Sequence, residues 1–574
     1  MTQAAETPKQ SALGALMVYL ERRSLVMLAL GFASGLPNLL IFDTLSAWLR
    51  EAGMSLEVIG FFSLATLAYS LKFIWAPLVD RTTIPVLNRL LGHRRSWMIT
   101  MQLLVMLGLW LIAGTDPSVD LARMAMLAVL VGFTAATQDI VIDAWRIEAV
   151  DESRQGAMAA AYQWGYRIAM IVAGAAPLIL AETYGWNLSY AVMAALMSVG
   201  IAGVLFAPRE KVHTVRAIPV GDVPSRPTFE VAEWLLRLLL IVFAGLIIGS
   251  GLTGAPDLLS SLLARVGIHI GPLAAAWEAK ETGVFIQFAA VIVGFAVLVA
   301  ACWPLPGLRT RPGAYLAGSF GEPLQDFFKR FAGTAALILA LICLYRVSDF
   351  VLNIMNPFYL DLGFTKTEVA EVRKVFGVVM SILGVFLGGL AVARLGLMRS
   401  LIIGAFAGPL SNLVFAWLAM QGPDLGALFV AIGVDNIASG FSGTCLIAYM
   451  SSLTSAGFTA TQYALFSSLY ALPGKLIASQ SGRIVESAAR SADAGGMAAS
   501  LKGLFTGLPA GALSEGAAKT GVTPAALGSG YVTFFLYSTL IGIAAIVLTF
   551  IVAARQPRRA LQPDQPDQAV RQTT

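Results

Sequence analysis

Fourteen predominantly apolar stretches, each close to the length of a membrane-spanning helix, recur along this chain of 574 residues. A helix of about 20 apolar residues crosses the hydrocarbon core of a bilayer. Lipid cannot satisfy free backbone N–H and C=O groups, so a spanning chain must be helical or form a closed barrel. The runs at 103–114 and 540–553 lack the alternation of a barrel strand. The sequence therefore predicts an all-α integral membrane protein.

Composition and charge support the same class of protein. Hydrophobic residues make up 57% of the chain and charged residues 13%, and the mean hydropathy is +0.75, far from the values of soluble domains. A net charge of +5 would suggest nucleic acid in a soluble protein, but here the basic residues collect between the spans. The positive-inside rule therefore places three basic segments, and with them both termini, in the cytoplasm, and we expect no nucleic acid partner. These segments are 80–95, 209–226 and the tail with Arg555, Arg558 and Arg559.

The spans fall into three groups. A first group of six is predicted at 24–47, 57–78, 97–115, 121–144, 157–181 and 187–207. A pair follows at 235–254 and 283–303. A second group of six is predicted at 332–358, 369–393, 399–420, 425–450, 459–481 and 530–553. This order predicts the major facilitator architecture, two six-helix halves with an inserted transmembrane helix pair and 14 spans.

The domain boundaries follow from this grouping. We predict a cytoplasmic N-terminal segment 1–23 without a signal-peptide cleavage site, an N-terminal half 24–207, a central linker with the inserted pair 208–330, a C-terminal half 331–553 containing a long periplasmic loop 483–529, and a cytoplasmic tail 554–574. Within its spans the pair has no ionisable residue apart from Arg237 at its entrance, so we interpret it as peripheral scaffold. Between its two spans, 257–280 is either an interfacial helix or a loop.

A basic motif follows the second predicted span. Asp80 and Arg81 end that span, and Arg94 and Arg95 come soon after it. An Asp at a helix end can pair with basic side chains and with a neighbouring helix terminus, and so latch one side of a carrier. A weaker version, without the Asp, spans 388–399. The alternative interpretation is that these basic residues only anchor the loops on the cytoplasmic side.

Charged residues inside the predicted spans indicate function, because each costs at least about 2.5 kcal/mol to place there. Asp139 and Asp143 are four residues apart and share one face of a helix. Two carboxylates at this spacing repel, which favours holding a proton on one of them. The pair is therefore a candidate for proton coupling. Alternatively, Arg146, Lys72 or Arg167 pairs with it in a structural network.

Cations at mid-depth come from both halves: Arg167 after Tyr166, Arg346 after Tyr345, and Lys475. Arg346 and Asp349 are three residues apart, and Asn353 and Asn356 continue roughly the same helix face. Such a seam suits a hydrophilic cargo with carboxylates and hydroxyls. Internal salt bridges are the alternative for each residue. Nearby aromatic residues that could stack on sugar rings are Tyr69, Tyr162, Trp164, Tyr166 and Tyr463.

Several longer motifs resemble the AmpG-type muropeptide permeases of the major facilitator superfamily. In the first half these motifs are Gly31–Pro37, Gly60–Leu64, Lys72–Arg81, Ala136–Trp145 and Gly165–Arg167. In the second half they are Leu344–Phe350 and Ala460–Leu465. The resemblance covers most of both halves. It implies proton-driven import of N-acetylglucosaminyl-anhydro-N-acetylmuramyl peptides across the bacterial inner membrane, by a monomer that needs no cofactor.

The resemblance and the chemistry of the residues together predict the site residues; the resemblance supports Lys72, Asp139, Asp143, Arg167, Arg346 and Asp349, because each stands inside a matching motif. Asp139 and Asp143 are expected to couple protons, and Asp80, Arg81, Arg94 and Arg95 to form the gating motif. The expected substrate-binding residues are Lys72, Tyr166, Arg167, Arg346, Asp349, Asn353 and Lys475. At position 475 only the positive charge is transferred, since family members can have arginine there.

Three alternatives remain at this stage. The same scaffold could carry another bulky polar cargo, such as a siderophore or a coenzyme A thioester. An intramembrane enzyme acting on cell-wall precursors is a different class. It is disfavoured because the three histidines lie outside the predicted spans, the three cysteines have no metal-ligand spacing, and no nucleophile motif is present. A purely structural protein would not need several ions at mid-depth.

Overall fold

The computed structural model describes residues 20–53, 67–151, 154–208, 223–253, 255–279, 283–303, 305, 308–478, 481–509 and 511–556. Several predicted features lie outside this description: the start of the second span, the basic stretch 209–222, and Arg558 and Arg559 of the tail. The side chains of Asn353 and Lys475 also lie outside it.

Six helices form the first group. They are α1 (Arg22–Leu39, continuing through a π turn Leu40–Thr44 into Leu45–Glu51), α2 (Leu67–Leu71, Lys72–Ile74 and Ala76–Arg81), α3 (His93–Ala113), α4 (Leu121–Glu148), α5 (Gln155–Tyr184) and α6 (Trp186–Leu196 and Ser198–Phe206). A short helix, Leu87–Leu91, lies between α2 and α3.

The inserted segment contains two long helices, α7 (Pro227–Thr253) and α8 (Gly283–Cys302). Two short helices lie between them, Asp257–Arg265 and Gly271–Glu278, so the helical alternative for 257–280 is confirmed. A linker of Arg311–Leu316, a π turn Ala317–Gly321 and Glu322–Arg330 leads to the second half. Because α7 begins earlier than predicted, it also contains Glu233, which binds Arg237 at 2.7 Å.

Six further helices complete the bundle. They are α9 (Ala335–Leu344, Val347–Phe350, Val351–Ile354 and Met355–Leu362), α10 (Lys366–Glu371, a π turn Val372–Phe376 and Gly377–Leu395), α11 (Leu397–Gln421), α12 (Leu425–Ser452), α13 (Thr459–Ala478) and α14 (Pro524–Arg555). No strand occurs among the described residues, so the all-α prediction is confirmed.

Eleven helices of the described chain are long and apolar enough to cross a membrane. The predicted spans 24–47, 57–78 and 459–481, which correspond to α1, α2 and α13, are not among these eleven. α2 is broken and only partly described, and a π turn interrupts α1. The total of fourteen spans therefore stays a prediction.

The two groups of six repeat the same packing. α3 packs on α4 and α1 on α5 in the first half, as α11 packs on α12 and α9 on α13 in the second. Between the halves, α5 packs on α10 and α12, while α13 packs on α2 and α4. The inserted pair contacts α13, and Phe295 of α8 stacks on Phe73 of α2 at 5.6 Å. The pair therefore lies beside one edge of the interface between the halves.

The predicted loop at 483–529 is instead mostly helical. It contains Ser481–Asp493, a 3₁₀ helix Met497–Phe505 and Ser514–Thr520, and α14 already begins at Pro524. The segment was predicted as a loop because it lies between two predicted spans. The first two of these helices nevertheless pack against α14, with Val485 and Phe505 in the apolar core of the second half. Tertiary packing thus decides the structure of this segment.

Candidate functional site

The carboxylate of Asp80 caps the first turn of α13, in the opposite half of the bundle. It accepts hydrogen bonds from the Ala460 N–H at 3.2 Å, the Thr461 N–H at 2.8 Å and the Thr461 hydroxyl at 2.7 Å. The positive end of the helix dipole favours a carboxylate there. Arg94 donates to the same carboxylate at 2.8 Å and to Glu148 at 2.7 Å. Asp80 therefore binds both groups proposed for a latch, a basic side chain and a helix terminus.

The other two residues of the predicted gating motif bind different elements. Arg81 donates to the Gly318 carbonyl at 2.8 Å and pairs with Glu322 at 3.0 Å, which attaches α2 to the linker. Arg95 donates to the carbonyls of Val204 and Leu205, both at 3.1 Å, at the end of α6. The basic motif thus divides its contacts among the opposite half, the linker and its own half.

Further contacts join the halves on the same side of the bundle. Arg146 of α4 donates to Ser451 at 2.9 Å and lies over the ring of Tyr463 at 5.1 Å. Deeper along α5, Gln163 donates to Thr444 at 2.7 Å, and Trp164 donates to the Ile382 carbonyl at 3.0 Å. The two halves are therefore in contact from the Asp80 end of the bundle to the depth of Gln163.

The two acids of α4 have different surroundings, although both are buried with 6% of their surface exposed. Asp143 pairs with Lys72 at 3.9 Å and with Arg146 at 3.3 Å. Asp139 accepts a hydrogen bond from the Ser34 hydroxyl, and Ser34 also contacts the Tyr162 hydroxyl at 2.7 Å. Asp143 is thus compensated by two cations, whereas the hydrogen bond to Asp139 comes from a neutral donor.

Lys72 lies at a break in α2, where the α-helix gives way to a 3₁₀ turn. It was predicted to bind substrate, but its ammonium group is buried against Asp143, and it also acts electrostatically on Asp139. Arg146 supplies the second cation. The structure therefore pairs Asp143 with Lys72 and Arg146, and the substrate-binding role expected of Lys72 stays a prediction.

In the second half, Arg346 and Asp349 lie where α9 is interrupted between Leu344 and Val347. Their side chains form a salt bridge at 2.8 Å, and 21% and 16% of their side-chain surface is exposed. This pair is more accessible than Lys72 and Asp143, whose side chains are 10% and 8% exposed. Arg346 also donates to Ser439 at 2.7 Å. A Cβ atom on Gly443 would lie 3.0 Å from the guanidinium, so the glycine leaves room for it.

Arg167 of α5 lies near Arg346, close enough for their positive charges to repel. Among the side chains that the structure describes, no carboxylate pairs with Arg167. The neighbouring Tyr166 hydroxyl accepts a hydrogen bond from Asn38 at 2.7 Å. The structure thus brings together two predicted cations, one from each half, beside a single paired carboxylate.

Asp435 of α12 was not among the predicted site residues, yet it belongs to this group. It interacts electrostatically with Asp349, Arg346 and Arg373, and the Ser411 hydroxyl donates to it at 3.3 Å. The signal was an acid inside an apolar span, without a neighbouring motif to support it. Asn356, which was predicted to extend the polar seam, contacts Arg373 instead.

Comparison with known proteins decides the family. A putative transporter from Rickettsia felis, AmpG 4, is 31% identical over 472 residues, which cover 82% of this chain and 91% of that protein. The chain belongs to the AmpG family of permeases. Another AmpG-type relative, the anhydromuropeptide permease of Escherichia coli K12, is 30% identical over 474 residues, covering 82% of this chain and 76% of that protein. This AmpG-family chain is therefore a transporter and not an enzyme.

Two further comparisons bear on the fold and on the first half. A family model described as acetyl-coenzyme A transporter 1 matches residues 24–184 of this AmpG-family chain. The proton:xylose symporter XylE, a major facilitator protein solved with 6-bromo-6-deoxy-D-glucose, aligns with a TM-score of 0.52 at 10% identity. That alignment covers 96% of this chain and 97% of the symporter. The major facilitator fold predicted from the order of the spans is confirmed.

Proposed function

We propose that this permease imports anhydromuropeptides from the periplasm to the cytoplasm together with protons, by alternating access. The observation that carries the proposal is the proximity of Arg167 and Arg346, which come from opposite halves and whose positive charges repel. Gln163, one turn before Arg167 on α5, borders Gly443 together with Arg346. Asp349 pairs with Arg346, and Asp435 interacts electrostatically with both, whereas no described carboxylate pairs with Arg167. An anionic cargo that lies between the two guanidinium groups relieves their repulsion and binds both halves at once.

A muropeptide has the chemistry that this site requires. Its stem peptide carries carboxylates, onto which a guanidinium donates two parallel hydrogen bonds. Its sugars carry hydroxyl and amide groups that match Ser439 and Gln163, which lie next to Arg346. The name of the Escherichia coli relative supports the same cargo.

The two acids of α4 take separate parts in the proposal. We assign the transported proton to Asp139, because a neutral carboxyl can remain bonded to the Ser34 hydroxyl without leaving a cation unpaired. Protonating Asp143 would leave Lys72 and Arg146 uncompensated in a buried site, which is costly. Asp143 therefore holds the closed interface together, and Asp139 responds to the proton gradient.

The conformation fits the inward direction of transport. The basic loop 80–95 lies at the Asp80 end of the bundle, and basic loops are enriched on the cytoplasmic side of membrane proteins. We therefore place the Asp80 end in the cytoplasm. With that end closed, we infer that the exposed surface of Arg346 and Asp349 faces the periplasm. Release into the cytoplasm then requires Asp80 to leave α13 and Arg146 to leave Ser451.

Uptake by proteoliposomes tests the cargo. Labelled anhydromuropeptide, a ferric siderophore and acetyl-coenzyme A are compared at equal concentration, because the match of residues 24–184 supports a coenzyme A thioester as a second candidate. We expect muropeptide uptake, with loss in Arg167→Gln and Arg346→Gln and no change in Arg265→Gln, an exposed cation at the end of the short helix Asp257–Arg265. Uptake of only the siderophore or the thioester overturns the cargo assignment.

A further inference from the structure

A cavity of about 390 Å³ lies at the Asp80 end of the bundle, between the inserted pair and the interface of the two halves. Its walls come from five elements: α2, α8, the linker that ends at Arg330, α9 and α13. This volume is within the range of about 300–1,000 Å³ found for small-molecule sites. The cavity is separate from the residues assigned to cargo and protons.

The walls of this cavity are almost entirely apolar. Phe73 and Phe295, stacked at 5.6 Å, form part of one side, and Leu298, Leu465 and Phe466 line it further. A buried water needs two to four polar partners, and such walls do not supply them.

The lining contains three polar side chains with hydroxyl or amide groups: Gln325 of the linker is exposed, and the other two are already bonded elsewhere. The Thr461 hydroxyl donates to Asp80 at 2.7 Å, and the Gln462 amide donates to the Pro323 carbonyl at 2.9 Å. A ligand of this cavity is therefore held by burial of apolar surface rather than by hydrogen bonds.

The rim of the cavity reaches the outer surface of the bundle. Val299 and Trp303 of α8 are 55% and 66% exposed, and Leu324 of the linker is 39% exposed. α8 is one of the helices long and apolar enough to cross a membrane, and its exposed residues face hydrocarbon in a bilayer. Lipid chains are thus the apolar molecules that meet the rim at high concentration.

We propose that this cavity binds one acyl chain of a membrane lipid, which packs the inserted pair onto α13 and α2. The chain enters past Val299 and Trp303 and lies against Leu298 and Leu465 on opposite walls. Because Thr461 lines the cavity and also donates to Asp80, the bound chain favours the closed arrangement of this end. The proposal is independent of the identity of the cargo.

Photocrosslinking tests the site on the full-length protein. The permease is reconstituted in nanodiscs of phosphatidylethanolamine and phosphatidylcholine that contain a trace of phospholipid with a diazirine on its acyl chain. After irradiation, mass spectrometry locates the labelled peptides. We expect labels on both walls, in 295–303 and in 461–466, although Phe466 is buried and Leu465 is partly buried.

A filled cavity and a matched control separate this site from general lipid contact. Leu298→Trp fills the cavity and is expected to abolish labelling of 461–466, as is Leu465→Trp from the opposite wall if the first variant fails to fold. Ile292→Trp adds the same ring to α8 at a position that is 67% exposed and outside the lining, and should leave the labelling unchanged. Labelling confined to exposed faces of α8, or unchanged in both filled variants, overturns the proposal.

Discussion

Asp80 and Thr461, which lie in opposite halves of the bundle, share two hydrogen bonds: the carboxylate accepts from the Thr461 backbone at 2.8 Å and from its hydroxyl at 2.7 Å. The contact involves the dipole of a whole helix, because Thr461 lies in the first turn of α13. Opening this end of the permease must therefore separate a buried carboxylate from a helix terminus.

Asp80→Asn is expected to shift the bundle towards an open Asp80 end. An amide keeps the shape but loses the charge, and a hydrogen bond to a charged group contributes about 1.5–3 kcal/mol. Since about 1.4 kcal/mol corresponds to a factor of ten in an equilibrium constant, the ratio of closed to open protein should fall at least about tenfold. Pulsed EPR between spin labels at Arg89 and Arg399, both exposed, measures the two populations. Thr461→Val keeps the backbone bond and should shift them less; identical distances in wild type and Asp80→Asn would contradict the latch.

Arg346→Lys is expected to weaken cargo binding although the charge is kept. Lysine cannot reproduce the forked donation of a guanidinium to a carboxylate, and the loss of one charged hydrogen bond of about 1.5–3 kcal/mol corresponds to about a tenfold to hundredfold higher KM. Initial uptake rates over a range of muropeptide concentrations measure it. Arg265→Lys, at an exposed position outside the site, serves as the control, and an unchanged KM in Arg346→Lys would remove this residue from the site.

The acids of α4 should respond differently to the loss of charge. Asp143→Asn leaves Lys72 and Arg146 without their shared carboxylate, and breaking a buried pair in this way costs about 3–5 kcal/mol. Asp139→Asn removes a carboxylate bonded to a hydroxyl and should affect stability far less. Thermal unfolding in detergent compares the two variants. Equal destabilisation would argue against separate roles.

Asp493 should make the helix Ser481–Asp493 sensitive to acid. Hydrogen bonds from the hydroxyl of Thr523 and from Lys502 hold the pKa of its carboxyl below the usual value. The stabilisation is therefore complete above the unfolded pKa of about 3.9 and is lost as the pH falls through the lower folded value. Hydrogen exchange of 481–493 should be faster in Asp493→Asn than in wild type at pH 7, and the difference should vanish in strong acid. A difference that persists there would refute the ionic origin.

The sequence predicted the fold and most of the charged residues of the site, because a charge inside an apolar span is visible without a structure. The partner of each charge was harder to predict. Asp139 and Asp143 lie four residues apart on the same face of one apolar helix, so the sequence does not distinguish their surroundings. In the structure, only Asp143 forms salt bridges with Lys72 and Arg146. That distinction depends on how α1, α2 and α13 pack around α4, which periodicity does not encode.

Two other differences between prediction and structure also depend on contacts between residues far apart in the sequence. Asp435 lies in an apolar span without a motif, so only its position beside Asp349 and Arg346 indicates a role. The segment 483–529 was predicted as a loop, and it is helical because α14 offers an apolar face for it. In both cases a contact distant in sequence carries the information.

The central claim is that protons drive cargo uptake through Asp139. Its most direct test is the initial rate of labelled anhydromuropeptide uptake by proteoliposomes with an imposed pH gradient, acid outside, and with equal pH on both sides. We predict that the gradient accelerates uptake and allows accumulation above the external concentration in the wild type, and that Asp139→Asn removes this response while it still binds the cargo. Uptake that ignores the gradient in the wild type, or a gradient response that survives in Asp139→Asn, would contradict the account.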